Sequence, residues 1–331
     1  MRTLALCLLS FAVGCSSAPP GNNNGSPDLG GVGGGGQGDA GNIVNGQDGS
    51  ISNGTDGSMP ADLGGKMGQT GIQTIFTIVL ENTSYSSVVG NTANAPYLNK
   101  LIKQYGLATN YKDSGSHPSL PNYLYMVSGD TQYFGLFDVS PTTSPFPKDA
   151  DNLGNQLTQA KVPWRAYLES MGTPCNIGGT SPYAAKHNPF VYFKDMQGTA
   201  VCNQADVDYS NFAADLAAGT YRFMWISPNL NDDGHDTNLQ TADTWCSQEI
   251  PKILASQAFK NNGVLFVTWD EGDASLSDQV PMIVVSPLTK AGFQSSVAYT
   301  HASYLATVED TFHLPRLGAA AQAQAMTDFF Q

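Results

Sequence analysis

Four stretches of this 331-residue sequence run from apolar residues straight into side chains that can do chemistry. IFTIVL is followed by Glu81-Asn82, RFMWIS by PNLNDDGHD (228–236), and LFVTW by Asp270-Glu271-Gly272-Asp273. The fourth, LATNY, leads into SGSHPSLPNYLYMVSGD (114–130), where hydroxyls and an imidazole crowd the start of an apolar helical run. Oxygens from Glu81, Asn82, Asp270 and Glu271 suit a hard or borderline divalent cation. Such an ion lowers the pKa of a nearby hydroxyl and neutralises charge growing on phosphoryl oxygens. Ser119 is the hydroxyl to act on. Asn122 lies three residues further on, on the same face of the first helical turn. Its amide can donate to a phosphoryl oxygen beside the free N–H groups of the helix start. Ser119 also fits the role of helix cap, and both duties are expected of it. Ser114 and Ser116 lack the Pro-Asn continuation. The chemistry that emerges is metal-assisted attack on phosphorus.

Such residues need a frame. The β-branched run 72–80, RFMWIS (222–227), GVLFVTW (263–269) and VPMIVVS (280–286) read as buried strands, with LATNY (107–111) a shorter one. Helical spacing marks 95–106, the run after Ser119, 241–259 and 300–314. Buried strands alternating with helices predict an α/β sandwich around a largely parallel sheet. In such sheets ligands sit beyond the C-terminal strand ends, where the polar residues collect. Residues 130–220 break the rhythm and are expected to form an irregular cap or insertion. Within it Tyr183, Phe190, Tyr192 and Phe193 are candidates for an apolar groove, and Lys186 and His187 for clasping phosphate.

The chain opens MRTLALCLLSFAVGC, a short apolar stretch that suits a signal peptide rather than a membrane span. Ala12-Val13-Gly14-Cys15 is similar to a bacterial lipobox, making Cys15 the expected lipidation site and residues 1–15 the signal. Ser16 after the cysteine fits outer-membrane sorting, so the protein is expected to be exported and lipid-anchored to the cell envelope. Residues 16–70 are a Gly/Asn/Asp-rich spacer with too little apolar surface to offset ordering, which leaves 71–331 as the functional domain. Three further cysteines allow one bridge. Cys175 and Cys202 flank the irregular segment and are paired here, with Cys246 a buried free thiol. The net charge of −13 disfavours a nucleic-acid partner, and any phosphate site then needs local positive charge.

Glu81-Asn82, HPSLPNY, PNLNDDGHD, TWDEGD and YTHASYLATVEDTFHLP, in that order, resemble the bacterial phosphoesterase family of acid phosphatases and phospholipase C enzymes. That family belongs to the alkaline phosphatase-like superfamily. The resemblance implies that Ser119 becomes transiently phosphorylated and that Glu81, Asn82, Asp270 and Glu271 are metal positions. It places His235, with Asp233 nearby, where a histidine contacts phosphate or protonates the leaving group. Two-zinc members carry Asp-x-x-x-His and Asp-His pairs, whereas here Asn231 stands four before His235 and Glu271 follows Asp270, which favours a single metal. His117 reads as an orienting residue or a plain loop histidine. His301 reads as a phosphate contact or a packing residue, and His313 as structural. The expected substrate is a small phosphate ester or a phospholipid head group. A phosphomonoesterase is the leading reading, a phospholipase C-type diesterase the second, and a non-catalytic phosphoryl-binding lipoprotein the rival of another class.

Overall fold

The run TIFTIVL is buried at every position, so it must be covered on both faces, and the rest of the chain supplies the cover. The computed structural model describes residues 71–133, 137–273 and 278–331; the expected signal peptide, Cys15 and the 16–70 spacer lie outside the described residues. In chain order the first elements are β1 (Thr74–Leu80), α1 (Tyr85–Val88), α2 (Pro96–Gln104), β2 (Gly106–Ala108), β3 (Tyr111–Lys112) and α3 (Ser119–Ser128). Next come α4 (Leu153–Gln159), β4 (Trp164–Leu168), α5 (Ala200–Ala205), β5 (Asp206–Asp208), α6 (Phe212–Ala218) and β6 (Phe223–Ser227). The last third holds α7 (Leu239–Ala255), α8 (Gln257–Lys260), β7 (Gly263–Trp269), β8 (Met282–Val285), β9 (Phe293–Ser295), β10 (Tyr299–Thr300) and α9 (His301–Thr311).

The main sheet has eight strands in the order β5-β4-β6-β1-β7-β8-β2-β9, and β10 and β3 pair separately. All its strands run one way except β8, which is antiparallel to both neighbours. The expected α/β sandwich with a largely parallel sheet is what forms. β1, β7 and β8 are buried throughout, which is why their sequences are unbroken apolar runs. Thr77, buried in mid-strand, shares a 2.7 Å hydrogen bond with the hydroxyl of Tyr304 on α9, so even this polar group is satisfied.

Three expectations change. Residues 130–220 are not simply a cap, because β4 and β5 inside them form one flank of the main sheet. Pro163 and Arg165 disguise β4 as a broken run, yet the Arg165 guanidinium is neutralised by Asp215 at 2.6 Å and lies over the Tyr221 ring. Tyr183, Phe190, Tyr192 and Phe193 line no groove; all four are buried in the core. Ser119 does not cap α3 either: Pro118 occupies the cap position, and Ser119 is the first helical residue. The Cys175–Cys202 disulfide is present, with the two Cα atoms 5.5 Å apart, and Cys246 is a buried free thiol. Among the described residues no helix is long and apolar enough to cross a membrane.

Candidate active site

Parallel strands pointing the same way deliver their trailing residues to one edge. Glu81 directly follows β1, Asp270-Glu271 directly follow β7, and the loop after β6 carries Asp233. α3 begins at the same edge and offers Ser119 and, one turn later, Tyr123. Glu81 is the hub. Its Oε2 accepts a hydrogen bond from Ser119 Oγ at 3.1 Å, and its Oε1 accepts one from the Tyr123 hydroxyl at 2.5 Å. Ser119 also interacts with Asp270, whose Oδ1 accepts the Asn82 backbone N–H at 3.3 Å. Both carboxylates and Ser119 are essentially inaccessible.

His187 completes the centre. It sits on a single turn of tight helix (Ala185–His187), buried and stacked on Tyr123 with ring centroids 5.1 Å apart. Its Nε2 lies 3.2 Å from Glu81 Oε1 and its Nδ1 lies 3.2 Å from Asp233 Oδ2. Neither contact has hydrogen-bond geometry, and both ring nitrogens, Asp233 Oδ2 and Asp270 Oδ2 have no hydrogen-bond partner. Burial, with Lys186 and His235 nearby, pushes the His187 pKa well down, so the ring is neutral. A neutral imidazole has one N–H, so with both carboxyls ionised one of its two contacts sets lone pair against lone pair. Burial, then the neighbouring charges of Asp270 and Asp233, drives the Glu81 pKa well up. Burial likewise raises Asp233 to about 7, Asp270 to about 8 and Glu271 to about 9. Buried acceptors without partners, whose pKa values burial raises, fit a cation-binding centre. Donor atoms of Glu81, His187 and Asp233 lie within 4.8 Å of one another, so these residues fit a divalent ion, with Asp270 beside them.

Around this centre stands a polar rim. Glu271 Oε2 pairs with His117 Nδ1 at 2.7 Å and accepts from Asn122 Nδ2 at 3.3 Å. Lys186 Nζ donates to His235 Nε2 at 3.2 Å and lies 2.9 Å from Asp138 Oδ2. Because a lysine ammonium only donates, His235 Nε2 is the acceptor, and Nδ1–H turns to Asp236 at 2.7 Å. A groove of about 910 Å³ lies at the other end of the sheet beside Gln73 and Arg222, but it gathers no comparable set of reactive groups.

The Phosphoesterase family matches residues 91–315, most of the chain. The chain belongs to that family. It is therefore a hydrolase of phosphoric ester bonds. A phosphatidylinositol-3-phosphatase of Mycobacterium tuberculosis is 30% identical over 262 residues, covering 77% of this chain and 82% of the relative. A phosphate-repressible acid phosphatase of Penicillium chrysogenum is 31% identical over 252 residues, covering 73% of this chain. The aligned part is 59% of that fungal protein, so the phosphoesterase spans under two thirds of its length. Among solved structures, a lipoteichoic acid synthase of Listeria monocytogenes aligns with a TM-score of 0.52 at 10% identity, over 79% of this chain and 76% of that one. That likeness is one of fold alone.

Of the residues expected from sequence, Glu81, Ser119, Asp233, Asp270 and His187 meet at the centre of the phosphoesterase. His117, Asn122, Glu271 and His235 form the rim. Asn122 is turned to its own loop: its Oδ1 accepts from Ser114 N–H and Oγ, and its Nδ2 donates to Ser116 O. Asn82 is exposed at a left-handed φ of 46°, and its contact with the centre is the backbone N–H to Asp270. His301 lies behind the site rather than in it. Its Nε2 donates to the Asp270 carbonyl at 2.6 Å, which leaves Nδ1 to accept from the Tyr111 hydroxyl at 2.8 Å. Sequence reasoning passed over Tyr123 and Asp138. Tyr123 had a readable signal, since it lies four residues after Ser119 and so on the same helical face.

Proposed function

We propose that the protein is a metal-dependent phosphomonoesterase acting through a phosphoserine at Ser119. The observation that carries this is the Ser119 hydroxyl donating to the buried Glu81 carboxylate, with Asp270 beside it and the Lys186 ammonium at the rim. Glu81, Asp233, Asp270 and His187 would hold the divalent ion, and Asn82 and Glu271 flank it. When bound, the ion supplies positive charge that offsets the carboxylates and makes the serine hydroxyl more acidic.

Ser119 Oγ forms the new P–O bond as the ester P–O bond breaks, and its proton moves along the existing hydrogen bond to Glu81 Oε2. The departing alcohol oxygen takes its proton from the Lys186 ammonium at the rim, which stands beside His235. Water then attacks phosphorus as the Ser119 Oγ–P bond breaks; its released proton replaces the one the rim gave up, and Glu81 Oε2 returns its proton to Ser119 Oγ as phosphate leaves. Tyr123 keeps Glu81 oriented, and His301 fixes the backbone that carries Asp270. The monoester reading rests on the rim ammonium, which suits a terminal phosphate dianion. It also rests on the burial of the cap aromatics, which leaves a diester's second substituent without the expected groove. The phosphatase names of the two relatives above point the same way. A disulfide closing the segment that carries His187 fits an exported, oxidising compartment, in keeping with an anchor at Cys15.

The test is hydrolysis of a nitrophenyl phosphate monoester and the corresponding bis-ester by the purified chain, before and after chelation. Chelator-sensitive release favouring the monoester is expected, with no turnover by a folded Ser119→Ala variant. Full activity in that variant would remove the phosphoserine step. Release unaffected by chelation would remove the metal.

A further inference from the structure

The helix that presents Ser119 starts without a cap of its own, because Pro118 at the cap position offers no side-chain acceptor. An uncapped start leaves free N–H groups and partial positive charge. The gap is filled from a distant loop. Leu120 N–H, the residue directly after Ser119, donates to Asp138 Oδ1 at 2.9 Å. The other oxygen of the same carboxylate, Oδ2, lies 2.9 Å from Lys186 Nζ. One anion thus holds a backbone donor beside the nucleophile and the ammonium at the rim. These are the two donors that a phosphoryl group within reach of Ser119 Oγ would use.

We propose that Asp138 is a tethered, displaceable occupant of the phosphoryl seat. In the resting enzyme its carboxylate fills the seat; on substrate binding the side chain turns out, and phosphoryl oxygens take over Leu120 N–H and Lys186. The surroundings permit this. The Asp138 side chain is 17% exposed, and the preceding Phe137 is 75% exposed, so nothing in the core must move. The following residue is held, since the Tyr192 hydroxyl donates to Val139 O at 2.7 Å, so the motion required is a turn of the Asp138 side chain. An enzyme with so many carboxylates at its centre gains by keeping the ammonium and the N–H paired while no substrate is present. The consequence is an apparent affinity for phosphate lowered by the fraction of time the seat is free.

This inference rests on Ser119 as the nucleophile, and the experiment keeps the two separable. KM and kcat for nitrophenyl phosphate, the inhibition constant of inorganic phosphate and the melting temperature are measured for full-length wild type, Asp138→Asn and Asp138→Ala. Binding of inorganic phosphate is also titrated calorimetrically in Ser119→Ala with and without Asp138→Ala. The expectation is that Asp138→Ala tightens the phosphate inhibition constant and KM at least about tenfold, the shift of a seat self-filled nine-tenths of the time. Asp138→Asn, which keeps an acceptor for Leu120 N–H but no charge for Lys186, should fall between. Unchanged or weaker phosphate binding in both variants would overturn the proposal and leave Asp138 as a helix cap alone. A Ser119→Ala protein that still turned over would sink the nucleophile assignment, yet the calorimetric comparison would still read the effect of Asp138.

Discussion

Removing the Cys175–Cys202 bridge should disturb the active site as well as the stability, because His187 and Lys186 lie inside the segment it closes. The bridge joins residues 27 apart. Loop-closure entropy for a ring of that size corresponds to about 3.5 kcal/mol of stabilisation, by constraining the unfolded chain. For a domain of this size about 2–4 °C of melting temperature accompanies each kcal/mol, so the double variant Cys175→Ala/Cys202→Ala should melt about 7–14 °C lower. Cys202 is buried, and its truncation leaves a small void that adds to the loss. The segment has other moorings. Asn188 donates to Asp206 at 2.8 Å, and the Tyr183 hydroxyl donates to Asn176 O at 2.7 Å. Turnover should therefore fall severalfold rather than vanish, measured at a temperature where both proteins are folded. Melting curves followed by circular dichroism, paired with initial rates on nitrophenyl phosphate, decide it. A melting temperature within about 2 °C of wild type together with full turnover would refute the reasoning, showing that those hydrogen bonds hold His187 unaided.

Two further outcomes are expected. Tyr123→Phe removes the hydroxyl that donates to Glu81 and little volume; a hydrogen bond to a charged acceptor is worth about 1.5–3 kcal/mol, so kcat/KM should drop roughly tenfold to a hundredfold, and a change under twofold would count against Glu81 as hub. Glu309, buried on α9, has its pKa raised by burial from 4.5 to about 8. The folded state binds this proton more tightly than the unfolded chain does. Its contribution is therefore complete below the unfolded value and is lost as pH rises through the folded one. Glu309→Gln should then gain melting temperature relative to wild type from about pH 5 to about pH 9, and a gap constant with pH would contradict this sign.

Much of the sheet was legible because β1, β6, β7 and β8 are covered on both faces and read as apolar runs. The direction of β8 was not, since periodicity carries no sign. β4 escaped notice because its one cation is paired across the surface with Asp215, a partner fifty residues away in sequence. Ser119 stood out from its neighbours, Pro-Asn on one side and a helix start on the other. Its relation to the helix cap did not, for the capping carboxylate comes from Asp138 in a separate loop. Adjacency made Asn82 look like a partner of Glu81, but β1 ends at Leu80 and the backbone takes a left-handed φ of 46° at Asn82, whose side chain is left exposed. His187 was readable only as a residue in an irregular stretch; the disulfide and Asn188 determine where that stretch lies.

β1 has one further consequence. The described chain enters at Gly71 near one end of this strand, and Glu81 stands just past the other, with seven strand residues at about 3.3 Å each between them. Whatever is joined ahead of Gly71 therefore attaches roughly 20 Å from the nucleophile, at the opposite pole of the sheet. Coupled directly to a solid support through that end, the enzyme would present its site on the side away from the support. The same polarity recommends an upstream position for an affinity tag or a surface linker, where it leaves the approach to Ser119 clear.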